Sequence, residues 1–307
     1  MTKLKTRYVC PPLLCFFIVG CAIAPQAMPP SRDVQATSAT VATTLPYTVE
    51  RLNLPGPVAG VLVKVNLIDP RVRVTVALAD DRDPDGDGPC VGQLETTSQV
   101  ARKHDFDITL NASFFAVAEA RDMAGQKIQY FVGNCGWPQG WHFSNGKLHG
   151  KPKAASLRAT MIVHADGKIS LADAVENLPA DTEFAVSGNA MMLKDGVSTP
   201  PAKDEARHPR SAVGLSADAH TLYILAIDGR QESHSRGVTL GELANIFIQL
   251  GAHNAINLDG GGSTSMVIKD LGTGAFAIAN QPSDLSTLKL PVRFERPVMD
   301  VLGIRVR

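Results

Sequence analysis

Residues 255–266 constrain the fold of this chain more than any other stretch, because an apolar run ends there in an acidic residue followed by three glycines. Asp259 is the acidic residue, and the glycines permit positive φ angles or a close backbone approach that a Cβ would forbid. A plain turn is the alternative, but it requires neither the carboxylate nor the Ser-Thr pair that follows. A Walker phosphate loop is excluded because Ser263 stands where that motif requires lysine.

A helix is predicted to precede the apolar run. Thr239 and Glu242 form a capping box, apolar residues then recur at helical spacing, and Gly251 provides the C-terminal stop. The pattern therefore predicts a helix, then a short buried strand, then Asp259.

A second apolar run, residues 221–227, also ends in Asp-Gly, at Asp228. Two such strand ends can place both carboxylates at one end of a sheet. Arg210 and Arg230 lie near these positions in the sequence, and guanidinium groups suit bidentate recognition of a phosphate or carboxylate. Carboxylates combined with arginines favour hydrolysis of a phosphate-linked sugar.

The composition excludes some partners. The 307-residue chain is 44% hydrophobic, enough to bury a sizeable globular core. Lys plus Arg and Asp plus Glu each count 30, so no bulk charge recruits nucleic acid or an anionic membrane surface. We therefore predict no nucleic-acid partner, and any phosphate must be recognised locally.

The N-terminus predicts export. Residues 1–20, basic and then apolar, have the order of a signal peptide, and residues 18–21 resemble the bacterial lipobox, in which Cys21 would carry lipid. An ordinary signal peptide cut near Ala27 is the alternative. Residues 21–45 have the composition of a flexible tether, and residues 46–307 are the predicted domain. We expect a lipid-anchored protein of the bacterial cell envelope, periplasmic or at the outer membrane.

Two cysteines are predicted to pair. Cys10 and Cys15 lie in the predicted signal peptide, and Cys21 is the lipidation candidate. This leaves Cys90 and Cys135 in an oxidising compartment, where we predict a disulfide. Two reduced buried thiols are the alternative.

A short acidic stretch resembles a calcium loop. Asp83, Asp85 and Asp87 alternate with proline and glycine, but an EF-hand would require glutamate at position 12, where Leu94 stands. A solvated turn is the favoured interpretation, with a structural Ca²⁺ as the alternative. We predict no catalytic metal and no other cofactor.

Three pairs of apolar runs predict hairpins: 58–67 with 72–78, 158–163 with 168–171, and 212–215 with 221–227. Helices are predicted only at a few segments, including 97–103. The chain is therefore predicted to be an α+β domain, with a large mixed, mostly antiparallel sheet, a few packed helices and the site at strand ends.

Four motifs in order carry a family resemblance. They are Asn111-Ala-Ser-Phe-Phe, Arg210-Ser-Ala-Val-Gly, Asp228-Gly-Arg and Asn257-Leu-Asp-Gly-Gly-Gly-Ser-Thr. Together, over residues 58–306, they resemble the phosphodiester glycosidase domain. The resemblance implies hydrolysis of a sugar-1-phosphodiester between the anomeric carbon and its oxygen, with a glycan or sugar phosphate as the partner.

The same resemblance implies two sets of site residues. Asp259 is interpreted as nucleophile or base, Asp228 as acid or orienting partner, and His208 as the second candidate for general acid. The catalytic candidates are Asn111, Arg210, Asp228 and Asp259. The substrate-binding candidates are Arg230, His208, Gly260, Gly261, Ser263 and Thr264.

Two other functions stay open at this point. One is a non-catalytic, polysaccharide-binding envelope lipoprotein, because a fold does not guarantee turnover. The other is a metal-dependent phosphodiesterase that uses Asp228, Asp259 and His208 as ligands. For the glycosidase, a cell-envelope or exopolysaccharide-type substrate is expected.

Overall fold

A computed structural model describes residues 44–80, 82, 88, 90–151, 158–199, 206–285 and 292–307. The predicted signal peptide, the lipidation candidate Cys21 and almost all of the predicted tether lie outside these residues. So do the three calcium candidates Asp83, Asp85 and Asp87.

Most of the described chain forms β-strands joined by turns. The first twelve strands are β1 (Tyr47–Leu54), β2 (Val58–Asn66), β3 (Val72–Leu78), β4 (Gly92–Gln93), β5 (Ile108–Asn111), β6 (Phe115–Val117), β7 (Ala120–Arg121), β8 (Lys127–Ile128), β9 (Cys135–Pro138), β10 (His142–Ser144), β11 (Lys147–Gly150) and β12 (Thr160–His164). The others are β13 (Ile169–Ala172), β14 (Thr182–Ser187), β15 (Ala190–Lys194), β16 (Val197–Ser198), β17 (Arg210–Ser216), β18 (Thr221–Ile227), β19 (Ala252–Asn257), β20 (Met266–Lys269), β21 (Phe276–Ile278), β22 (Asp284–Leu285), β23 (Arg293–Phe294) and β24 (Asp300–Val306). The described α-helices are α1 (Thr97–His104) and α2 (Leu240–Leu250), and a 3₁₀ turn spans Gly261–Ser263.

Three larger sheets organise these strands. Their orders are β1-β2-β18-β17-β19-β15-β16, β11-β10-β14-β12-β13 and β21-β20-β5-β24-β3. Every strand pair among the described residues is antiparallel, including those of the small sheets β4-β9-β6, β7-β8 and β22-β23. The predicted α+β class is confirmed in a sheet-dominated form, but the single large mixed sheet is corrected to several antiparallel ones. The long connection through α2 joins two strands of one direction, β18 and β19, but β17 lies between them and pairs with both in the antiparallel sense.

The inward faces of the three larger sheets share one apolar core. Val63, Val74 and Met161 represent the three sheets within it. Side chains alternate between the two faces of the seven-stranded sheet, so Leu62, next to Val63, points to the other face and packs with Phe247 of α2. This sheet is therefore buried on both sides, and the site described below lies at one end of it.

Helix α2 begins and ends as predicted. The Thr239 hydroxyl accepts a hydrogen bond from the Glu242 N–H at 3.1 Å, and the Glu242 carboxylate accepts one from the Thr239 N–H at 3.0 Å. Gly251 ends the helix with a left-handed φ of 85°. The capping box and glycine stop position the start of β19, and hence the residues that follow it.

Two of the three predicted hairpins are confirmed. Strand β12 pairs with β13, and β17 pairs with β18. The first hairpin is wrong, because β2 pairs with β1 and β18 whereas β3 pairs with β24 in another sheet. Strand β2 is buried almost throughout, because apolar residues pack on both faces of its sheet. The closeness of β2 and β3 in the sequence therefore did not determine that they pair with each other.

The predicted disulfide is present. Cys90 and Cys135 are bridged, with their Cα atoms 5.4 Å apart. Because Cys135 opens β9, the bridge attaches the small β4-β9-β6 sheet to the segment before β4. Neither α-helix in the described ranges has the length and apolar character needed to cross a membrane.

Candidate active site

The topology of the seven-stranded sheet brings the two Asp-Gly motifs to the same end. Strand β17 lies between β18 and β19, with Arg210 opposite Ile227 and Ala212 opposite Asn257. Strands β18 and β19 therefore run in the same direction and end near each other, about 10 Å apart because one strand separates them. Asp228 and Asp259 follow these two strand ends.

Backbone contacts fix the position of Asp259. Its N–H donates to the Ala112 carbonyl at 2.9 Å, and its own carbonyl accepts from the Asn111 side-chain amide at 2.6 Å. The carboxylate accepts hydrogen bonds from the Ser263 side chain and the Gly260 backbone. Asp259 as a whole residue is half-buried, at the end of the segment that follows β19.

Burial is the main influence on this carboxyl and raises the pKa of Asp259 from 3.8 to about 7. The negative charge of Asp300 raises it further, whereas the Ser263 hydrogen bond, the positive charge of Arg296 and the Gly260 N–H oppose the rise. A carboxyl that ionises near neutrality can both give and take a proton at ordinary pH, which suits acid–base catalysis.

This perturbed pKa predicts a pH effect on stability that requires no substrate. The folded chain holds the Asp259 proton more tightly than the unfolded chain, so this contribution to stability is lost as pH rises from about 4 to about 7. Asp259→Asn should abolish it. The free energy of unfolding of the parent minus that of the variant should then fall by up to about 4 kcal/mol across this window.

Urea unfolding at steps between pH 4 and pH 8 measures that difference. Comparing parent and variant cancels the carboxylates that do not interact with Asp259, such as Asp69, whose pKa is lowered to about 2 by its hydrogen bond to Arg71. A difference that stays flat over the window would show that Asp259 ionises normally.

Asp228 forms a pair with a histidine that the sequence reasoning missed. Asp228 is 4% exposed, and its Oδ2 lies 2.8 Å from Nε2 of His234. Its Oδ1 accepts hydrogen bonds from the Asn280 side chain at 3.1 Å and the Gln281 N–H at 2.8 Å. These contacts hold the buried Asp228 carboxylate in place, and the half-exposed imidazole of His234 lies beside it.

The residues after Asp259, the glycine-rich turn at 260–264, lie between two arginines. A Cβ on Gly261 would come within 2.9 Å of the Arg230 guanidinium. A Cβ on Gly262 would come within 2.1 Å of the Arg296 guanidinium. Glycine at position 262 leaves room for Arg296 and its ion-pair partner Asp284, whereas at position 261 glycine is favoured by the φ of +63°.

The two arginines differ in their availability to a ligand. Arg296 forms a two-point ion pair with Asp284, at 2.9 and 3.2 Å, and lies 4.2 Å above the Tyr130 ring. Arg230 is exposed and, within the described ranges, forms no ion pair with a carboxylate; its Nη2 lies 3.5 Å from Nδ1 of His208. Arg230 therefore presents positive charge at the turn.

Two other candidates, Asn111 and Arg210, are buried and make hydrogen bonds to their surroundings. Asn111 is 1% exposed, and its Oδ1 accepts from the Ser211 hydroxyl at 2.6 Å and the Ser265 N–H at 3.1 Å. Arg210 is 8% exposed and donates to the carbonyls of Val238 and Ala206. Both side chains hold backbone segments beside Asp259.

The remaining candidates lie in or beside the glycine-rich turn. Ser263 contacts the Asp259 carboxylate, and half-buried His208 lies beside Arg230. Thr264 is 1% exposed, and its hydroxyl has no hydrogen-bond partner in the described structure. Among the described residues, no cluster of three or more His, Cys, Asp or Glu side chains is arranged to hold a metal ion.

The site around the glycine-rich turn combines three features: the Asp259 carboxyl with its raised pKa, the Asp228–His234 pair and the Arg230 guanidinium. Such a combination suits the hydrolysis of an anionic substrate. Residues 104–305 match the family model for phosphodiester glycosidases, well over half of the 307-residue chain. The chain belongs to the phosphodiester glycosidase family.

Curated relatives match shorter stretches. Bovine N-acetylglucosamine-1-phosphodiester alpha-N-acetylglucosaminidase is 41% identical over 75 residues, 24% of this chain and 12% of that protein. The SPbeta prophage-derived uncharacterized protein YomE of Bacillus subtilis (strain 168) is 40% identical over 63 residues, 20% of this chain and 10% of that protein. The matched stretch thus spans only about a tenth of the length of either relative.

One solved structure shares the fold over most of its length. The catalytic domain of zebrafish N-acetylglucosamine-1-phosphodiester alpha-N-acetylglucosaminidase, auto-inhibited by its pro-peptide, superimposes with a TM-score of 0.60 at 20% identity. The match covers 87% of this chain and 85% of that chain. At this identity it supports the fold alone.

Proposed function

We propose that this protein hydrolyses a sugar-1-phosphodiester at the bond between the anomeric carbon and its oxygen. The observation that carries the proposal is the juxtaposition, on one glycine-rich turn, of the Asp259 carboxyl and the Arg230 guanidinium. Family membership and the bovine relative's printed activity support the same reaction class.

Asp259 is the proposed general base. It takes a proton from a water molecule as the water oxygen attacks the anomeric carbon, and its raised pKa makes it a stronger base than an ordinary aspartate. The bond from the anomeric carbon to the phosphate oxygen then breaks, and the electron pair leaves with the phosphate. The products are a free sugar and a phosphomonoester.

Arg230 is proposed to bind the departing phosphate. A phosphomonoester is a stable anion near neutral pH, with a second pKa of about 6, so it leaves without first receiving a proton. The requirement is for positive charge and N–H donors where the negative charge develops. The Arg230 guanidinium, which lies over Gly261 and has no carboxylate partner among the described residues, supplies that charge.

His234 is proposed to act as the second acid–base group. Asp228 orients its Nε2, so the imidazole can hold a proton near a sugar hydroxyl or a phosphate oxygen. Asp228 itself takes the orienting role rather than that of the acid.

The substrate is proposed to be a cell-envelope or exopolysaccharide-type glycan phosphodiester. The support is the N-terminal signal-like pattern with Cys21, which would place a lipid-anchored enzyme in the bacterial envelope. A capsule or wall-polymer repeat joined through sugar-1-phosphate would present the required bond.

The proposal is tested by incubating the protein with UDP-N-acetylglucosamine and a panel of sugar-1-phosphodiesters in ¹⁸O-labelled water. We expect free sugar that carries the label at its anomeric oxygen. Label in the phosphate would instead establish a phosphodiesterase that cleaves the P–O bond. Glycan binding without release of any sugar, by a folded protein, would favour the binding-protein alternative.

A further inference from the structure

A second buried carboxylate with its own histidine lies close to Asp259. Asp300, the first residue of β24, is 1% exposed, and His142 of β10 is 0% exposed. Nδ1 of His142 lies 2.6 Å from Oδ2 of Asp300. Burying two ionisable groups costs free energy even when they are paired, and the proposed reaction steps do not use this pair. The pair therefore requires an explanation.

The hydrogen bonds indicate the charge of the pair. Oδ1 of Asp300 accepts from the Ser113 N–H at 2.7 Å, and Oδ2 accepts from the Ser113 hydroxyl and from His142. A carboxylate with three donors is favoured as the anion. Nε2 of His142 lies 3.2 Å from the Ser144 hydroxyl, which can donate to it. Both oxygens of the Asp300 carboxylate therefore have hydrogen-bond donors, and the donor from His142 is its Nδ1.

One short segment connects this pair to Asp259. The Ala112 N–H donates to the Asp300 carbonyl at 3.2 Å, and the Ala112 carbonyl accepts from the Asp259 N–H at 2.9 Å. Ser113, the next residue, is the one bound by the Asp300 carboxylate. Asp300 thus holds the same backbone that positions Asp259, and its charge acts on the Asp259 carboxyl.

We propose that Asp300 and His142 are a positioning pair for Asp259, which holds residues 111–113 in place and supplies a fixed negative charge against which Asp259 ionises. The inference rests on the proposed function, in which Asp259 is the general base. His142 keeps Asp300 anionic by donating one hydrogen bond, and Ser113 donates two more.

Other charged or titratable groups face this region. Arg296 acts on Asp259 with the opposite sign to Asp300. The ring of His149 lies edge-on to that of His142, with centroids 5.5 Å apart. Glu295 accepts a hydrogen bond from Ser265 at 2.6 Å, beside Asn111. Substitution of Asp300 leaves all of these groups in place, so its effect can be separated from theirs.

The test reads Asp259 directly by ¹³C NMR of aspartate-carboxyl-labelled protein, without any turnover. The Asp259 resonance is the one absent from the Asp259→Asn spectrum. In Asp300→Asn we expect its titration midpoint to fall by about one pH unit, because a buried like charge has been removed. In His142→Gln, whose amide can still donate to Asp300, we expect the midpoint to stay unchanged.

Two results would overturn the proposal. The first is a folded Asp300→Asn protein in which the titration midpoint of Asp259 does not move. The second is a His142→Gln protein in which the titration midpoint of Asp259 rises, because that rise would show that a positively charged imidazolium had been lost. If Asp300→Asn does not fold, ¹⁵N NMR of the parent decides: the proposal requires that Nδ1 of His142 carry a proton for the hydrogen bond to Asp300, and an Nδ1 without a proton would overturn it. Where sugar release is measurable, the acid limb of kcat/KM should shift with the NMR midpoint. Absence of sugar release from the parent would refute the proposed function and leave the NMR outcome standing.

Discussion

Asp259→Asn should lower kcat for sugar release by about 10²–10⁴-fold, the range that a positioned general base contributes. Asparagine has nearly the same shape and can still accept hydrogen bonds from Ser263 and Gly260, the donors to the carboxylate. It cannot take a proton from water. The loss should therefore fall on kcat, with KM changed much less, and free-sugar assays on the panel measure both.

A matched control is Asp173→Asn, because Asp173 is exposed on the surface. It should release sugar at the parent rate. Circular dichroism and a melting curve must show that both variants are folded. If the Asp259→Asn protein keeps a tenth or more of the parental kcat, Asp259 is not the general base. His234 would then be the candidate for that role.

Arg230→Gln should reduce kcat/KM by about 10²–10³-fold, comparable to the loss of one strong donor from a site that stabilises developing negative charge. The guanidinium lies over Gly261 and has no carboxylate partner among the described residues, so its charge is available to a phosphate. Glutamine keeps two N–H donors but no charge. Since charge develops on the phosphate as the bond breaks, kcat should fall as well as binding.

Arg236→Gln is the control for this change, because Arg236 lies on the same connection between β18 and α2 but is exposed and paired with Glu232. It should leave kcat/KM unaltered. A substrate whose leaving group is neutral should lose little from Arg230→Gln. An equal loss for neutral and anionic leaving groups would mean that Arg230 supports the turn and does not bind the phosphate.

Local signals in the sequence predicted the elements that carry the site. The capping box at Thr239 and the stop at Gly251 predicted α2, and the apolar run before Asp259 predicted β19. These features depend on neighbours a few residues away. The same is true of the two confirmed hairpins, whose strands are joined by short turns.

Long-range pairing was less predictable. Strand β2 could not be assigned to the sheet of β1 and β18 from its own sequence, because buried strands of many sheets share the same apolar pattern. The partner residues of the site were missed for a related reason. His234 and Asp300 gain their significance only from the carboxylate or imidazole that the fold places beside them, at Asp228 and His142.

One signal for His234 was nonetheless present. It lies six residues after Asp228, in a polar segment between a strand that ends in Asp-Gly and a capped helix. A chain reversal there brings it back, as the bridge between Gln231 and Ser235 shows. No comparable signal marks Asp300 or Arg296, which are far from Asp259 in the sequence.

The position of β24 has a consequence for when the enzyme can first work. This strand lies between β5 and β3, and its first residue, Asp300, holds the segment that positions Asp259. Residues 108–113 are therefore held in place by a strand that lies almost two hundred residues further along the chain. A chain in which residues 300–306 are not yet free to pair cannot hold residues 108–113 in this arrangement. The site around Asp259 is therefore complete only after the last strand of the domain has joined its sheet.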